Sequence, residues 1–349
     1  MKLFIRSATC ISPQHTFGEG PYLKDVVIYD QPRLPVIEPD YKPFIDPKQS
    51  RRMSRVIRMG IAAAKEALQQ ANITLPDAIV TGTAYGCVED SGNFLTRLIE
   101  MEEEMLSPTA FIQSTHNTVA AQIALAIKCH AYNNTFVHKS FSFESALMDA
   151  AMLLAEGEAK EVLTGGVDEI TDINYAIFNR FNIFKKGDFK NTDLYNSNTS
   201  GTIAGEGAAF FVLGKEPAAN DLARLDAFRT IYKPIDIKQD ILKFLDEAGC
   251  PLKEVDLVLT GRNGDPRTDA PYDLLSSGLF ANLPVANYKH LCGEYPVASS
   301  FALWLAAQIV SQGQVFPALA IQANVSPKRI LIANNYQDKY WSLMLLSQC

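Results

Sequence analysis

The 349-residue chain has little of what several kinds of chemistry require. Its six cysteines, Cys10, Cys87, Cys129, Cys250, Cys292 and Cys349, are scattered, with no CxxC pair and no Cys/His spacing of the kind that holds zinc. That excludes a disulfide framework and points to reduced, mostly buried thiols. No apolar run reaches the ~18 residues needed to cross a bilayer. The first residues, MKLFIRSATCISPQ, lack an apolar signal segment with a small-residue cleavage site and read as a short strand. A cytoplasmic protein with no membrane span is expected. Basic charge is also scarce: 32 Lys and Arg stand against 39 Asp and Glu, a formal net charge of −7. Nucleic acid is therefore not an expected partner, because neutralising phosphates needs clustered cations. Asp265, Asp269 and Asp273 do not have the spacing of a calcium loop. No metal and no cofactor is expected.

What the chain does have is the composition of a folded protein, 47% hydrophobic and 20% charged. Leu3 to Ile11 reads as a strand, and residues 12 to 50, rich in Pro, Tyr and Asp, as a long surface excursion. Arg52 to Ala71 carries apolar residues at helical spacing: Met53, Val56, Ile57, Ile61, Ala64 and Leu68. A strand at Asp77 to Cys87 and a helix at Ser91 to Met105 follow. Asn117 to Cys129 is small and apolar on nearly all sides, which predicts a buried helix. Strand-like Thr135 to Lys139, helical Phe143 to Glu156, and strands at Glu161 to Gly166 and Gly207 to Gly214 complete a first α/β unit. The alternation then restarts: strand Leu222 to Ile231, helix Ile235 to Gly249, strand Val255 to Leu259, short helix Asp269 to Leu279, strand Leu283 to Tyr288, buried helix Val297 to Ser311. Strands Ile330 to Asn335 and Tyr340 to Leu346 close it. The division is 1–216 and 217–349, two α/β halves with mixed sheets.

Three segments carry a resemblance. Gly201 to Leu213 reads GTIAGEGAAFFVL, Val162 to Glu169 reads VLTGGVDE, and Asn117 to Ile123 reads NTVAAQI. In order and spacing they resemble the β-ketoacyl synthases of the thiolase-like superfamily, well over about residues 75–215 and faintly beyond. The resemblance implies a thiolase-like fold: two halves with mixed five-stranded sheets in a layered α-β-α-β-α arrangement.

It also implies where the chemistry would sit. The family's nucleophilic cysteine starts a helix in a pattern like A-C-x-x-S-A; Ser142 falls there, with Ser145 and Ala146 matching the small residues. A serine hydroxyl, unlike a thiol, needs a general base beside it. Ser142 also reads simply as a helix N-cap. The first family histidine lies in an HGTxT turn, which Gly261 to Asp265 replaces, so Gly261 stands for the histidine. The second lies in K..(T)GH; Lys289 and Gly293 are kept and Glu294 replaces the histidine. An ionised carboxylate cannot donate a hydrogen bond to an oxyanion. The terminal GFGG turn is absent. His116, His130, His138 and His290 fall on no family catalytic position. His138 could approach Ser142 from a strand end, and Phe141 and Phe143 could line an acyl chain or be plain core.

The resemblance therefore implies a ketosynthase-like subunit without the Cys-His-His constellation, similar to the chain-length-factor-like subunits of aryl polyene or flexirubin-type clusters. Its partner would be an active ketosynthase, in a heterodimer with a homodimer as fallback. An acyl carrier protein would be reached mainly through that partner. Asn117, Val119, Ala120, Ile123 and Phe136 are the expected interface residues. An acyltransferase or thioesterase using Ser142, and a non-catalytic acyl-chain or carrier-protein binding module, remain open.

Overall fold

The computed structural model describes residues 2–104, 106–320 and 325–349. The first half contains β1 (Leu3–Ile11), α1 (Pro47–Ser50), α2 (Arg55–Gln70), β2 (Ala78–Gly82), α3 (Val88–Glu100), α4 (Pro108–Gln113) and α5 (Thr118–Ile127). It continues through β3 (Tyr132–Phe136), α6 (Ser142–Glu156), β4 (Glu161–Asp168), α7 (Asp172–Arg180) and β5 (Gly207–Gly214). The second contains β6 (Ala223–Tyr232), α8 (Ile237–Glu247), β7 (Leu257–Thr260), α9 (Pro266–Ser277), β8 (Val285–Asn287), α10 (Lys289–Cys292), α11 (Ser299–Gln312), β9 (Arg329–Tyr336) and β10 (Tyr340–Ser347).

The strands run in the order β3-β2-β4-β5-β1-β6-β10-β9-β7-β8. In each half, one strand pairs in parallel with both of its neighbours: β2 with β3 and β4, and β7 with β8 and β9. The remaining pairs within each half are antiparallel. The second half therefore mirrors the first. The two five-stranded sheets join edge to edge through three residue pairs between β1 and β6, Leu3 to Leu225 the outermost.

Apolar patterning explains the layers. In β1, Leu3 and Ile5 face one core, while Ile11 belongs to the other. The inner core holds α6 and α11 between the sheets, with Ala146, Leu147, Phe301 and Trp304 all fully buried. A helix buried on all sides must be apolar or hydrogen-bonded on all sides, and α11 is nearly all apolar, with buried Gln308 donating to the Ala8 carbonyl at 3.3 Å. The amphipathic α2 turns Val56, Ile57, Ile61, Ala64 and Leu68 onto the outer face of the first sheet, with α5 beside it. The two helices approach closely at Gly60, where a Cβ would lie 2.5 Å from Val119 Cγ1. On the far side α8 and α9 cover the second sheet around Phe244, Tyr272 and Trp341. The result is a layered α-β-α-β-α arrangement.

Several elements differ from expectation. The strand expected at Thr135 to Lys139 lies three residues earlier, and Lys139 leaves it with φ +50°. The helix expected at Asp269 begins at Pro266, because Asp265 caps it by accepting from the Arg267 amide and Pro266 suits the first turn. The helix expected at Ser91 begins at Val88 and ends at Glu100, and Met105 lies outside the described residues. Helix α7, which no strong periodicity announced, is capped by Thr171. The largest correction concerns α5. Val119 and Ile123, expected at a subunit interface, pack inside the chain against α2, and Ala120, expected there too, is fully buried within the chain. Asn117 is exposed ahead of the helix, Leu125 is 68% exposed, and Phe136 is half-buried against the inner core.

Candidate functional site

Two turns meet where the sheets' parallel strands end. The chain leaves α10 through Gly293, at φ +71°, and packs backbone to backbone on Gly205 of the GEG turn; a Cβ on Gly205 would lie 1.9 Å from the Cys292 carbonyl oxygen. Only glycine at both positions allows this approach. The contact pins Glu294: its amide donates to the Ile203 carbonyl at 2.8 Å, and its carbonyl accepts from the Gly205 amide at 3.1 Å. The side chain then points at Lys289, whose Nζ donates to Glu294 Oε1 at 2.6 Å. Asn263 Nδ2 donates to Oε2 at 2.9 Å. Lys289 is fully buried, so its charge is matched only by such a partner. Asn263 is held in turn by Asp269, which accepts its amide at 3.0 Å. Burial pushes the Asp269 carboxyl up to about 6.

Gly261, directly after β7, has no room for a side chain. A Cβ there would lie 2.3 Å from Asn334 Oδ1 and 3.0 Å from the Tyr272 hydroxyl oxygen. Asn334 cannot easily yield, because its Oδ1 accepts from the Tyr288 hydroxyl at 2.6 Å. Glu294 and Asn263 line a cavity of about 190 Å³ together with Tyr336, Phe181 and Arg267.

The turn into α6 is closed on itself. Ser142 is fully buried; its Oγ donates to the Lys139 carbonyl at 2.6 Å and accepts from the His138 amide at 2.8 Å. It does not cap α6 forward, and its proton already has an acceptor. The His138 ring is exposed and reaches Ser145 Oγ at 3.4 Å instead. Phe143 is plain core against Phe211, and Phe141 packs edge-on against Tyr340. Sequence reasoning passed over Ser140, which is buried in the same turn with a hydroxyl that has no partner. Both Glu144 carboxyl oxygens are buried without a hydrogen bond. Desolvation pushes the group up to about 7, against the pull of nearby Ser299, Ser342 and Lys289. Spacing hides such residues, because their neighbours come from α11, β10 and α10.

Chemically, this arrangement holds a proton and orders a cavity wall. Among the described residues no histidine hydrogen-bonds into the Lys289–Glu294–Asn263 cluster. His290 is turned toward Tyr195 and the Ala318 carbonyl. Burial pushes the neighbouring Cys292 thiol up to about 12, so it stays protonated. Among the described residues no group of three or more His, Cys, Asp or Glu side chains could hold a metal ion. Among them also no helix is long and apolar enough to cross a membrane.

The sequence model described as Beta-ketoacyl synthase, N-terminal domain, matches residues 40–219, just over half of the chain. The chain belongs to the β-ketoacyl synthase family. Curated relatives in that family are distant. A 3-oxoacyl-[acyl-carrier-protein] synthase 2 of Synechocystis is 24% identical over 53% of this chain and 46% of its own length. One of Staphylococcus aureus is 23% identical over 48% and 43%. The chain thus spans about half the length of the curated relatives it matches. Solved structures of ketosynthases match throughout. The ishigamide ketosynthase/chain length factor covers 100% of this chain and 99% of its own, with TM-score 0.81 at 16% identity. A β-ketoacyl synthase from Burkholderia phymatum gives the same coverage and TM-score at 15%. A type II ketosynthase in complex with its acyl-carrier protein gives 0.79 at 12%. The fold of this chain is that of the solved ketosynthases.

Proposed function

We propose that the chain is a ketosynthase-like subunit that does not itself condense acyl units and works beside an active ketosynthase, in the manner of a chain-length factor. The observation that carries this reading is the buried Lys289–Glu294 pair. Glu294 stands where the family's K..(T)GH turn has its histidine. The carboxylate accepts from Lys289 and Asn263 and has nothing to donate to an oxyanion. Gly261, read as the other histidine position, sits where even a methyl group would collide with Asn334. Ser142, read as the nucleophile position, has its hydroxyl engaged on both sides by backbone. An acyltransferase or thioesterase acting through Ser142 would need a base within reach, and this hydrogen-bonding leaves no place for one.

The partner surface in this reading is the free edge of β3, which among the described residues pairs only with β2. An exposed strand edge invites another chain. Leu125 on α5 and Met148 and Met152 on α6, the helices covering β3 on its two faces, are exposed beside it, as is Val137 just beyond it. The mate is a cysteine-containing ketosynthase of the same fold, pairing β3 to β3 across a pseudo-two-fold axis, with the halves dividing at 1–216 and 217–349. Carrier protein is engaged mainly through that mate, and aryl polyene or flexirubin-type chains are the product class in view. Co-expression with a cysteine-containing ketosynthase, followed by sedimentation analysis, tests the association. A 1:1 complex supports the reading; two separately sedimenting monomers overturn it.

A further inference from the structure

A second, larger cavity of about 510 Å³ lies away from the Lys289–Glu294 cluster. Its walls come from the surface excursion, the start of α2, the start of α3 and the turn between β4 and α7. Seven charged residues line it: Arg33 and Arg55 against Glu38, Glu89, Glu169, Asp172 and Glu206. Most of these charges are accounted for. Arg55 pairs with Glu38 and Glu206, and the Glu206 carboxylate also accepts from the Val36 and Ile170 amides at 2.8 and 2.9 Å. Arg33 donates to Asp172 at 2.6 Å.

Two carboxyls are left over. Glu169 is 1% exposed, its Oε1 has no hydrogen-bond donor, and Oε2 comes no closer than 3.9 Å to Arg55. Glu89, in the first turn of α3, is the other. A buried carboxyl without a donor costs about 1–3 kcal/mol or more, so a wall carrying one lacks a donor the chain does not supply. The groups facing Glu169 are Arg55 from α2, Glu206 from the turn before β5, and Glu89, Asp90 and Cys87 from α3 and its start. Burial, with Glu89, Glu206 and Asp90 adding to it, pushes the carboxyl up to about 8 against the pull of Arg55.

The acids here do not converge into a metal-binding group. The uncharged part of the wall is Pro35, Val36, Ile170 and Ile173 with two polar residues, Asn93 and Thr171. The volume is that of a small-molecule site, and a single basic side chain from another protein would fill only part of it. We propose that this cavity binds a small organic cation, an ammonium or guanidinium group on a short carbon chain, with Glu169 and Glu89 holding the cation and the isoleucines the chain.

Butylguanidinium titrated calorimetrically into the full chain at pH 7 and pH 9 tests this. Its charge is constant across that range, so any change reports the protein. Saturable binding is expected, strengthening about tenfold from pH 7 to 9 as Glu169 ionises. Glu169→Gln should weaken it at least tenfold at pH 9 and abolish the pH dependence. Glu89→Gln, at an exposed position, should weaken it a few-fold while leaving the thermal unfolding midpoint close to that of the unaltered chain. Absence of saturable binding at pH 9, unchanged affinity in both variants, or equally tight binding of neutral butylurea would overturn the proposal.

Discussion

Removing one partner of the Lys289–Glu294 pair should cost far more than removing both. Lys289 is fully buried and its side chain touches no water, while Glu294 is 5% exposed. Truncating Glu294 to Leu leaves a buried ammonium without its counter-charge, and strands the Asn263 amide. Breaking a buried pair in this way costs about 3–5 kcal/mol, and the orphaned amide adds about 1–3. Lys289→Met leaves the carboxylate uncompensated and should cost a similar amount. The double variant removes both charges and fills the space with carbon. It should be less destabilised than either single variant, with a coupling energy of at least about 2 kcal/mol. Urea unfolding at pH 7, followed by the fluorescence of the fully buried Trp304 and Trp341, measures all four proteins. Additive losses in the double variant, or single losses below about 1 kcal/mol, would refute the view that this pair is a closed structural lock.

Other outcomes follow from the same geometry. Glu144 titrates near 7 when folded against 4.5 as its ordinary value. Between those values the folded chain holds a proton that the unfolded chain releases, so its contribution to stability falls as pH rises, by about 3 kcal/mol at most. Glu144→Gln should flatten the decline in melting temperature between pH 5 and 8; an unaltered slope would contradict this. Gly261→Ala should cost about 1–3 kcal/mol from overpacking against Asn334, measured by thermal unfolding, and a neutral outcome would show that Asn334 yields. Leu125→Asp with Met148→Asp should abolish assembly with the mate while shifting monomer stability by less than about 0.5 kcal/mol; sedimentation with intact assembly would move the interface elsewhere.

The individual elements were legible because their signals are local, while their layering came from the family resemblance. The apolar and β-branched composition of Leu3 to Ile11 and the apolar stripe of Arg52 to Ala71 mark a strand and a helix without knowledge of their neighbours. The two glycine-containing turns, GEG and Gly293, were singled out by the family motifs they resemble, and the structure supplies the reason for the glycines, a backbone approach that admits no side chain. Boundaries were less legible: Asp265 and Pro266 together form a helix start, yet the acidic pattern suggested Asp269. Helix α5 shows a deeper limit. Its composition says apolar on all sides, but composition does not say which side meets its own chain, and Val119 and Ile123 turned inward while Leu125 turned out. The site itself was legible at Lys289, Gly293 and Glu294, which lie within six residues. Asn263 comes from the turn after β7, Asn334 and Tyr336 from β9 and Glu144 from α6, and no spacing in the chain connects these elements with the Lys289–Glu294 turn.

The most direct test of the account is carbon–carbon bond formation itself. Radiolabelled malonyl-carrier thioester and an acyl primer should give no condensed product, and no acyl adduct on Ser142 or Ser140, when supplied to the isolated chain. With an active, cysteine-containing ketosynthase present, product should form, and its length should change when this chain is omitted. Condensation by the isolated chain, abolished by Glu294→Ala, would contradict the account outright.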